Sequence, residues 1–302
     1  MTNQTKSLRS LIKRKKFITM PSGYDALTAR MIETAGFDVA YAGGFVTGGA
    51  TCISEPMLTM TEQLQVAGDM ANAVKIPVVV DGGAGWGEPL HTMRTVRETI
   101  RAGVAGIHIE DQLFPKRAHY HTYVAHNIPI KEYRDKIRLA CEQRDELDKD
   151  FVIIARSDAC RIQGYKEAIK RVNLAAEHGA DMSLIFPRTD KEAASAPRDS
   201  DIPTIYVISR GNRDKRPIYT YAQLADMGYA GVIDATLSIC VNFHYTKIML
   251  AEIKSTGAFS GMTEKDFVAA RQGIEDMIGL DDYYRIESAT VEKLDRPKKA
   301  KR

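Results

Sequence analysis

Charged side chains stand directly after three of the short apolar runs of this chain. Asp81 and Glu110 follow two of these runs, and Arg156 follows a third. Carboxylate oxygens that lie close together and leave room for water are the ligands that Mg²⁺ prefers. A guanidinium beside such an ion binds a carboxylate or a phosphate. These residues predict a metal-assisted site for a small anion; the alternative is an ion-pair network that only stabilises the fold.

A glycine pair follows another apolar run, in the segment between Tyr41 and Phe45. Gly43 and Gly44 allow the backbone to approach a ligand closely, so the amides of this segment can face an oxyanion. Tyr41, Gly43, Gly44 and Phe45 are therefore candidates for substrate binding.

Eight runs rich in Val and Ile must supply the elements that position these residues. They are too short for helices and nearly continuous in apolar residues, which is typical of parallel strands buried on both faces. The runs are Phe17–Pro21, Val39–Ala42, Pro77–Val80, Gly106–Ile109, Phe151–Ala155, Met182–Phe186, Thr204–Ile208 and Gly231–Ile233. Segments with a helical period separate them, and a glycine closes several of these segments just before the next run. This alternation predicts an α/β fold, a (β/α)8 TIM barrel.

The competing fold is a doubly wound open sheet. It would show a glycine-rich nucleotide turn, and neither GxGxxG nor GxxxxGK[ST] occurs in the chain. Since no Pro/Ser-rich linker interrupts the pattern, we interpret residues 1–302 as a single barrel domain. Residues 1–16 form its N-terminal lead-in, 263–295 a C-terminal helical extension and 296–302 a tail. We expect the extension to pack on another subunit.

The composition argues against several classes of partner. Lys and Arg number 42 against 39 Asp and Glu, so charge gives no reason to propose nucleic acid or an anionic membrane. No apolar stretch reaches the length of about 18 residues that a transmembrane helix needs. The four cysteines form no CxxC pair, which is typical of reduced thiols. We therefore expect a cytoplasmic protein, and the candidate site described above predicts a small anion such as an organic acid as its partner.

Four motifs around the candidate site resemble the isocitrate lyase/phosphoenolpyruvate mutase superfamily, in a form similar to its methylisocitrate lyases. They read YDALTAR at 24–30, AGF at 35–37, IEDQLFPK at 109–116 and IARSDA at 154–159. The resemblance covers roughly Ser22 to Asp282. It implies a Mg²⁺-dependent barrel, with Mn²⁺ as a substitute, in a homotetramer (a dimer of dimers) whose C-terminal helices are swapped between subunits. Members make or break C–C or P–C bonds next to a carboxylate.

The resemblance also implies roles for individual residues. Asp81 stands where the family keeps its direct metal ligand, and Glu110 stands where a carboxylate holds a metal-bound water. Arg156 stands where an arginine binds the substrate carboxylate. The segment from Tyr41 to Phe45 matches the loop whose amides receive a carboxylate or enolate oxygen.

The chain departs from the family pattern at several of its positions. The second Asp of the usual acidic stretch is Gly83, and Glu55 is the nearest residue able to compensate as a metal ligand. Phe186 replaces the His or Glu that relatives carry after the sixth strand. Arg188 and Arg210 end later runs and are candidates for a second substrate carboxylate.

The loop after the fourth strand departs most. Lyases of the family carry a Cys there as general acid, and here the register reads KRAHYH at 116–121, with Ala118 in its place. Imidazole titrates near neutrality and can replace a thiol as acid or base. Lys116, His119, Tyr120 and His121 are therefore catalytic candidates. The alternatives are a Zn²⁺ site, and a solvated lid whose histidines are incidental.

Together these observations predict a Mg²⁺-dependent carbon–carbon lyase acting on a 2-hydroxy or 2-oxo dicarboxylate. The reaction would be retro-aldol cleavage or decarboxylation through a metal-stabilised enolate. One alternative is a phosphonate mutase or P–C hydrolase of the same superfamily, and another is hydroxymethyl transfer by analogy with ketopantoate hydroxymethyltransferase. A barrel that binds a ligand without turnover is the non-catalytic alternative.

Overall fold

The computed structural model describes residues 4–122 and 124–293, without the side chains of His119, Tyr120 and Lys293. The chain divides into two compact units, Met1–Val241 and Asn242–Arg302. The assignment of the whole chain to one domain stays a prediction, and each unit is described by itself below.

The first unit contains eight parallel strands in a closed barrel. The strands pair in chain order, and the last one pairs with the first. They are β1 (Ile18–Gly23), β2 (Ala40–Ala42), β3 (Val78–Asp81), β4 (Gly106–Glu110), β5 (Val152–Ser157), β6 (Met182–Ile185), β7 (Thr204–Ile208) and β8 (Gly231–Asp234). All eight predicted runs are strands, so the predicted (β/α)8 fold is confirmed.

The described helices surround or follow this barrel in the order that the helical period predicts. They are α1 (Gln4–Lys13), α2 (Ala26–Thr34), α3 (Gly44–Thr51), α4 (Met60–Ala73), α5 (Pro89–Arg101), α6 (Ile130–Leu147), α7 (Tyr165–Glu177), α8 (Asp190–Asp199), α9 (Tyr221–Asp226), α10 (Leu237–Thr256), α11 (Glu264–Ile278) and α12 (Leu280–Ala289). Short 3₁₀ helices lie at Glu55–Met57, Ala118–Thr122, Ala159–Arg161 and Val291–Lys293.

Helix α3 is the element that the sequence analysis missed. The family resemblance assigns the segment after β2 to a loop, but a helix begins there at Gly44, with Gly43 as its N-cap residue. Its sequence, GFVTGGAT, is rich in glycine, which disfavours a helix by about 1 kcal/mol per residue relative to alanine. Packing supplies the missing stability, since Val46 and Thr47 are completely buried.

The barrel interior is filled from one end by apolar side chains. Alternate residues of each strand point inward in such a barrel, and Met20, Val79 and Ile154 belong to one buried cluster there. Leu8 of α1 joins the same cluster. The N-terminal helix therefore covers one end of the barrel and leaves the other end for the site.

The second unit contains the end of α10 and the helices α11 and α12. None of the described residues of these three helices is buried. Within the described ranges, no helix combines the length and the apolar character needed to cross a membrane.

Candidate active site

Asp81, Glu110 and Arg156 come together at the carboxyl ends of three adjacent strands. Glu110 pairs with Arg156 in the register of β4 and β5. Arg156 Nη2 lies 3.0 Å from Glu110 Oε2, and Arg156 Nη1 lies 3.8 Å from Asp81 Oδ2. All three side chains are buried. The geometry therefore provides a guanidinium next to two carboxylates, as the sequence predicts.

Asp81 is held by backbone amides on both sides. The amide of Gly83 donates to Oδ1 at 2.8 Å, and the amide of Gly44 donates to Oδ2 at 3.2 Å. Burial alone would raise the pKa of Asp81, but interactions with His108 and Arg156 outweigh it and hold the pKa well below its ordinary value. The Asp81 carboxylate is therefore ionised at neutral pH.

The pKa of Glu110 is shifted in the opposite direction from that of Asp81. Burial raises the pKa of Glu110 to about 7, although Arg156 and Lys116 favour its charged form. Lys116 Nζ lies 3.1 Å from Glu110 Oε1 and forms a close ion pair with Glu55. Lys116 thus ties the loop after β4 to the 3₁₀ helix that begins at Glu55.

The carboxylates fit a hard divalent cation. Within the described ranges, no three Asp, Glu, His or Cys side chains are grouped as a complete metal site. Mg²⁺ usually takes only one or two protein carboxylates and completes its shell with waters and substrate oxygens. Asp81 supplies an ionised carboxylate, and Glu110 supplies a second buried carboxylate, whose Oε1 has the ion pair with Lys116 at 3.1 Å but accepts no hydrogen bond of good geometry among the described residues. Asp81 and Glu110 could hold Mg²⁺ in this way. Glu55 lies near them, because it forms an ion pair with Lys116, which also contacts Glu110.

His108 is the site residue that the sequence analysis missed. Its Nε2 lies 2.7 Å from the hydroxyl of Tyr41, and its Nδ1 lies 3.6 Å from Asp81 Oδ1. Burial lowers the pKa of His108 to about 4, against the raising effect of Asp81. The ring is therefore neutral at pH 7. Strand alternation would have found it, because Gly106, His108 and Glu110 share one face of β4.

Asp158 holds the side chain of Arg156 in position. It is a second site residue that the sequence analysis missed. Its Oδ2 accepts from Arg156 Nε at 3.1 Å and from Gln112 at 3.0 Å. The amide of Asp158 donates to Asp111, which also accepts from Ser157. The Arg-Ser-Asp order at the end of β5 was the available signal, since two residues along a strand return to the same face.

The loop after β4 places only some of its predicted residues at the site. Lys116 and His121 lie there, and His121 approaches Ser54 Oγ at 3.3 Å and the edge of Phe45 with 6.3 Å between ring centroids. The side chains of His119 and Tyr120 lie outside the described residues.

A cavity of about 600 Å³ opens at this end of the barrel. Tyr41, Gly43, Gly44 and Phe45 line it together with Asp81, His121 and Arg156, and the opposite wall includes Phe186 and Arg210. Arg210 is paired with Asp234 at 3.0 Å. Arg188 is exposed and is not among the described residues that line the cavity.

Gly44 fits this site only because it lacks a side chain. A Cβ at this position would lie 2.8 Å from Glu55 Cγ and 3.1 Å from Asp81 Oδ2. We therefore expect Gly44→Ala to lower the free energy of unfolding by about 1–3 kcal/mol, as overpacking does, despite the better helix propensity of alanine. Denaturant unfolding measures the change. Gly273→Ala in α11 is the control, because a Cβ there meets nothing within 4 Å; an equal loss in both variants would contradict the prediction.

A family model described as phosphoenolpyruvate phosphomutase matches residues 8–254. This range contains every residue of the site. The chain belongs to the phosphoenolpyruvate mutase/isocitrate lyase superfamily. The resemblance inferred from the motifs is thereby confirmed.

Named relatives in the superfamily include lyases and a carboxyvinyl-carboxyphosphonate phosphorylmutase from Arabidopsis thaliana, which is 30% identical over 92% of this chain and 82% of that protein. The 2,3-dimethylmalate lyase of Eubacterium barkeri is 31% identical over 289 residues, which are 94% of this chain and 97% of that protein. The 2-methylisocitrate lyase of Aeropyrum pernix is 30% identical over 290 residues, 95% of this chain and 91% of that protein. A crystal structure of 2,3-dimethylmalate lyase matches with a TM-score of 0.86 and 26% identity over 96% of each chain. The prediction that the chain is an enzyme of this superfamily is confirmed.

Proposed function

We propose that this chain is a Mg²⁺-dependent carbon–carbon lyase that acts on a 2-hydroxy or 2-oxo dicarboxylate. The observation that carries the proposal is the Arg156 guanidinium, 3.0 Å from Glu110 and 3.8 Å from Asp81, beside a cavity of about 600 Å³. The names of the lyase relatives support the same reaction class.

Asp81 and Glu110 would hold the metal, with Glu55 as a further carboxylate beside them. When bound, Mg²⁺ or Mn²⁺ would supply Lewis-acid polarisation of the oxygens of a 2-oxo or 2-hydroxy acid. Substrate binding and proton transfer would be carried out by side chains and backbone amides of the chain itself.

Substrate binding would use two positively polarised groups. Arg156 presents a guanidinium that can bind a carboxylate in two parallel hydrogen bonds. The N–H groups in the first turn of a helix have no acceptor inside the helix and attract anions. The Gly44 amide donates to Asp81, so the Phe45 amide at the start of α3 would receive a second oxygen. These groups stabilise charge that develops on the substrate as a bond breaks.

The reaction needs two proton transfers. In a retro-aldol cleavage the substrate hydroxyl loses its proton, the C–C bond electrons pass to the departing carbon as an enolate, and that carbon then gains a proton. Tyr41 is placed to accept the hydroxyl proton while it passes its own phenolic proton to Nε2 of neutral His108, 2.7 Å away. We assign the second transfer to His121, with His119 and Tyr120 as the other candidates, while Lys116 holds the loop over the site through Glu55 and Glu110.

A substrate screen tests the reaction class. The purified chain with Mg²⁺ is incubated with 2,3-dimethylmalate, 2-methylisocitrate, isocitrate, oxaloacetate and phosphonopyruvate, and the products are identified by mass spectrometry. Release of a 2-oxo acid, oxalate or CO₂ from a carboxylic acid supports the proposal. Phosphate release from phosphonopyruvate alone would instead establish the phosphonate alternative. Oxalate binding without any product would establish a non-catalytic barrel.

We expect His121→Ala to lower kcat by about 100-fold, because general acid catalysis by one side chain typically contributes about 10²–10⁴-fold. The measurement is steady-state kinetics on the substrate found in the screen. His126→Ala is the matched control, since His126 lies on the same loop and is exposed. Equal activities of the two variants would exclude His121 as the proton donor.

We also propose that the second unit packs on other copies of the chain in a homotetramer. Large apolar side chains are exposed along its helices, among them Phe243, Leu250, Phe267, Ile278 and Tyr284. Exposed apolar surface of this kind marks an interaction site. Light scattering of the purified chain measures the assembly.

A further inference from the structure

Four arginines line the cavity on the wall opposite Asp81. Arg161 follows β5, and Arg210, Arg213 and Arg216 follow β7; all four line the cavity. We call these four residues the arginine wall. Among the described residues that line the cavity between Arg161 and Cys240, none is acidic.

Two members of the arginine wall share a buried carboxylate. The side chains of Arg161 and Arg216 are only 5% and 2% exposed. Asp214 Oδ2 lies 3.7 Å from Arg161 Nε and 3.5 Å from Arg216 Nε. Asp214 thus helps to hold both guanidiniums in the wall of the cavity, where they can donate hydrogen bonds to a carboxylate that enters it.

The ring of Phe186 joins the arginine wall to the catalytic side of the cavity. The Cζ atoms of Arg156, Arg161 and Arg216 lie 4.9, 5.3 and 4.9 Å from the centre of this ring. The ring therefore contacts all three guanidiniums through its π electrons. The distance between the Cζ atoms of Arg156 and Arg161 therefore cannot exceed the sum of their distances from the centre of the Phe186 ring.

A distance within this limit allows one molecule with a carboxylate at each end and a short hydrocarbon segment between them to contact both guanidiniums. One carboxylate would lie at Arg156, the other at Arg161 and Arg216, and the hydrocarbon would lie against Phe186. An aromatic ring provides apolar contact for the segment, whereas the carboxylates keep charged hydrogen-bond donors.

We propose that Arg161 and Arg216, supported by Asp214 and Phe186, form a subsite for the distal carboxylate of the substrate. The inference rests on the proposed function, since it places the reacting end at Arg156. It makes the arginine wall the feature that selects dicarboxylates over monocarboxylates. Arg210 contributes less, because Asp234 neutralises it.

Two probes of matched length test this subsite by isothermal titration calorimetry with Mg²⁺. 2-Oxoglutarate carries a distal carboxylate, and 2-oxovalerate has a methyl group in its place. The wild-type protein is expected to bind 2-oxoglutarate more tightly. Arg161→Gln and Arg216→Gln should each weaken 2-oxoglutarate at least about tenfold, the usual effect of a lost charged hydrogen bond, and leave 2-oxovalerate unchanged.

Two further variants keep the test decisive. Arg213→Gln alters an exposed position of the arginine wall, and it should lower the same preference by a smaller factor. Arg188 is exposed and is not among the described residues that line the cavity. The Arg188→Gln variant should bind both probes as the wild type does. If the variants of the arginine wall leave the ratio of the two Kd values unchanged, the subsite is wrong. Absence of turnover with every dicarboxylate would instead overturn the proposed function, and the ratio of Kd values would still be measurable.

Discussion

Arg156→Gln is expected to lower kcat/KM by about 10³-fold, the effect of removing a preorganised donor from an active site. The guanidinium contacts Glu110 at 3.0 Å and Asp158 at 3.1 Å, and it lines the cavity in which the substrate carboxylate would bind. Steady-state kinetics and the binding of oxalate with Mg²⁺ measure the two consequences separately.

The same substitution takes one cationic partner from each of the buried carboxylates Glu110 and Asp158, although Glu110 keeps its ion pair with Lys116. Removing one partner of a buried ion pair typically destabilises a protein by about 3–5 kcal/mol, so circular dichroism and thermal melting must accompany the kinetics. Arg156→Lys is the matched variant, because it keeps the positive charge and loses the two-pronged geometry. We expect intermediate activity from it. Wild-type kcat/KM in a folded Arg156→Gln protein would show that Arg156 binds no substrate.

Asp81→Asn is expected to weaken Mg²⁺ binding by at least about 100-fold, since even residues that only orient metal ligands cost about 10–100-fold when replaced. The change removes an ionised carboxylate with almost no change in shape. It also replaces one of the acceptors of the Gly83 and Gly44 amides by an amide group. Calorimetric titration with Mg²⁺ and with Mn²⁺ measures the loss.

Asp38→Asn provides the control for Asp81→Asn. Asp38 is also ion-paired, to Lys16 at 2.6 Å, but this pair lies outside the described lining of the cavity. The control should bind Mg²⁺ as the wild type does. Similar metal affinity in Asp81→Asn and the wild type would remove Asp81 from the metal site and leave Glu110 and Glu55 as the only carboxylates of the proposal.

The barrel and the main charged residues were predictable because their signals are local. A Val/Ile-rich run such as Thr204–Ile208 is too short for a helix, and it is a strand with the same bounds. Asp81 and Glu110 end such runs, and adjacent parallel strands bring their ends together. Helix α3 was not predictable in this way, because tertiary burial of Val46 and Thr47 overrides the glycine content of its sequence.

Side chains that depend on three-dimensional contacts were harder to find. His108 lies inside β4 rather than after it, so a search of strand ends passes over it. Arg161, Arg216 and Phe186 are far apart in sequence and meet only because the loops after β5, β6 and β7 converge. Neither composition nor spacing records that convergence.

The N-terminal helix has a consequence for access to the barrel. Leu8 packs inside the end of the barrel opposite the site, Gln4 Nε2 donates to the carbonyl of Ala71 at 2.9 Å, and Arg9 binds Asp181. Among the described residues, that end is closed and the cavity opens at the other. In the proposed lyase reaction, both fragments of the substrate would therefore leave by the end at which the substrate enters.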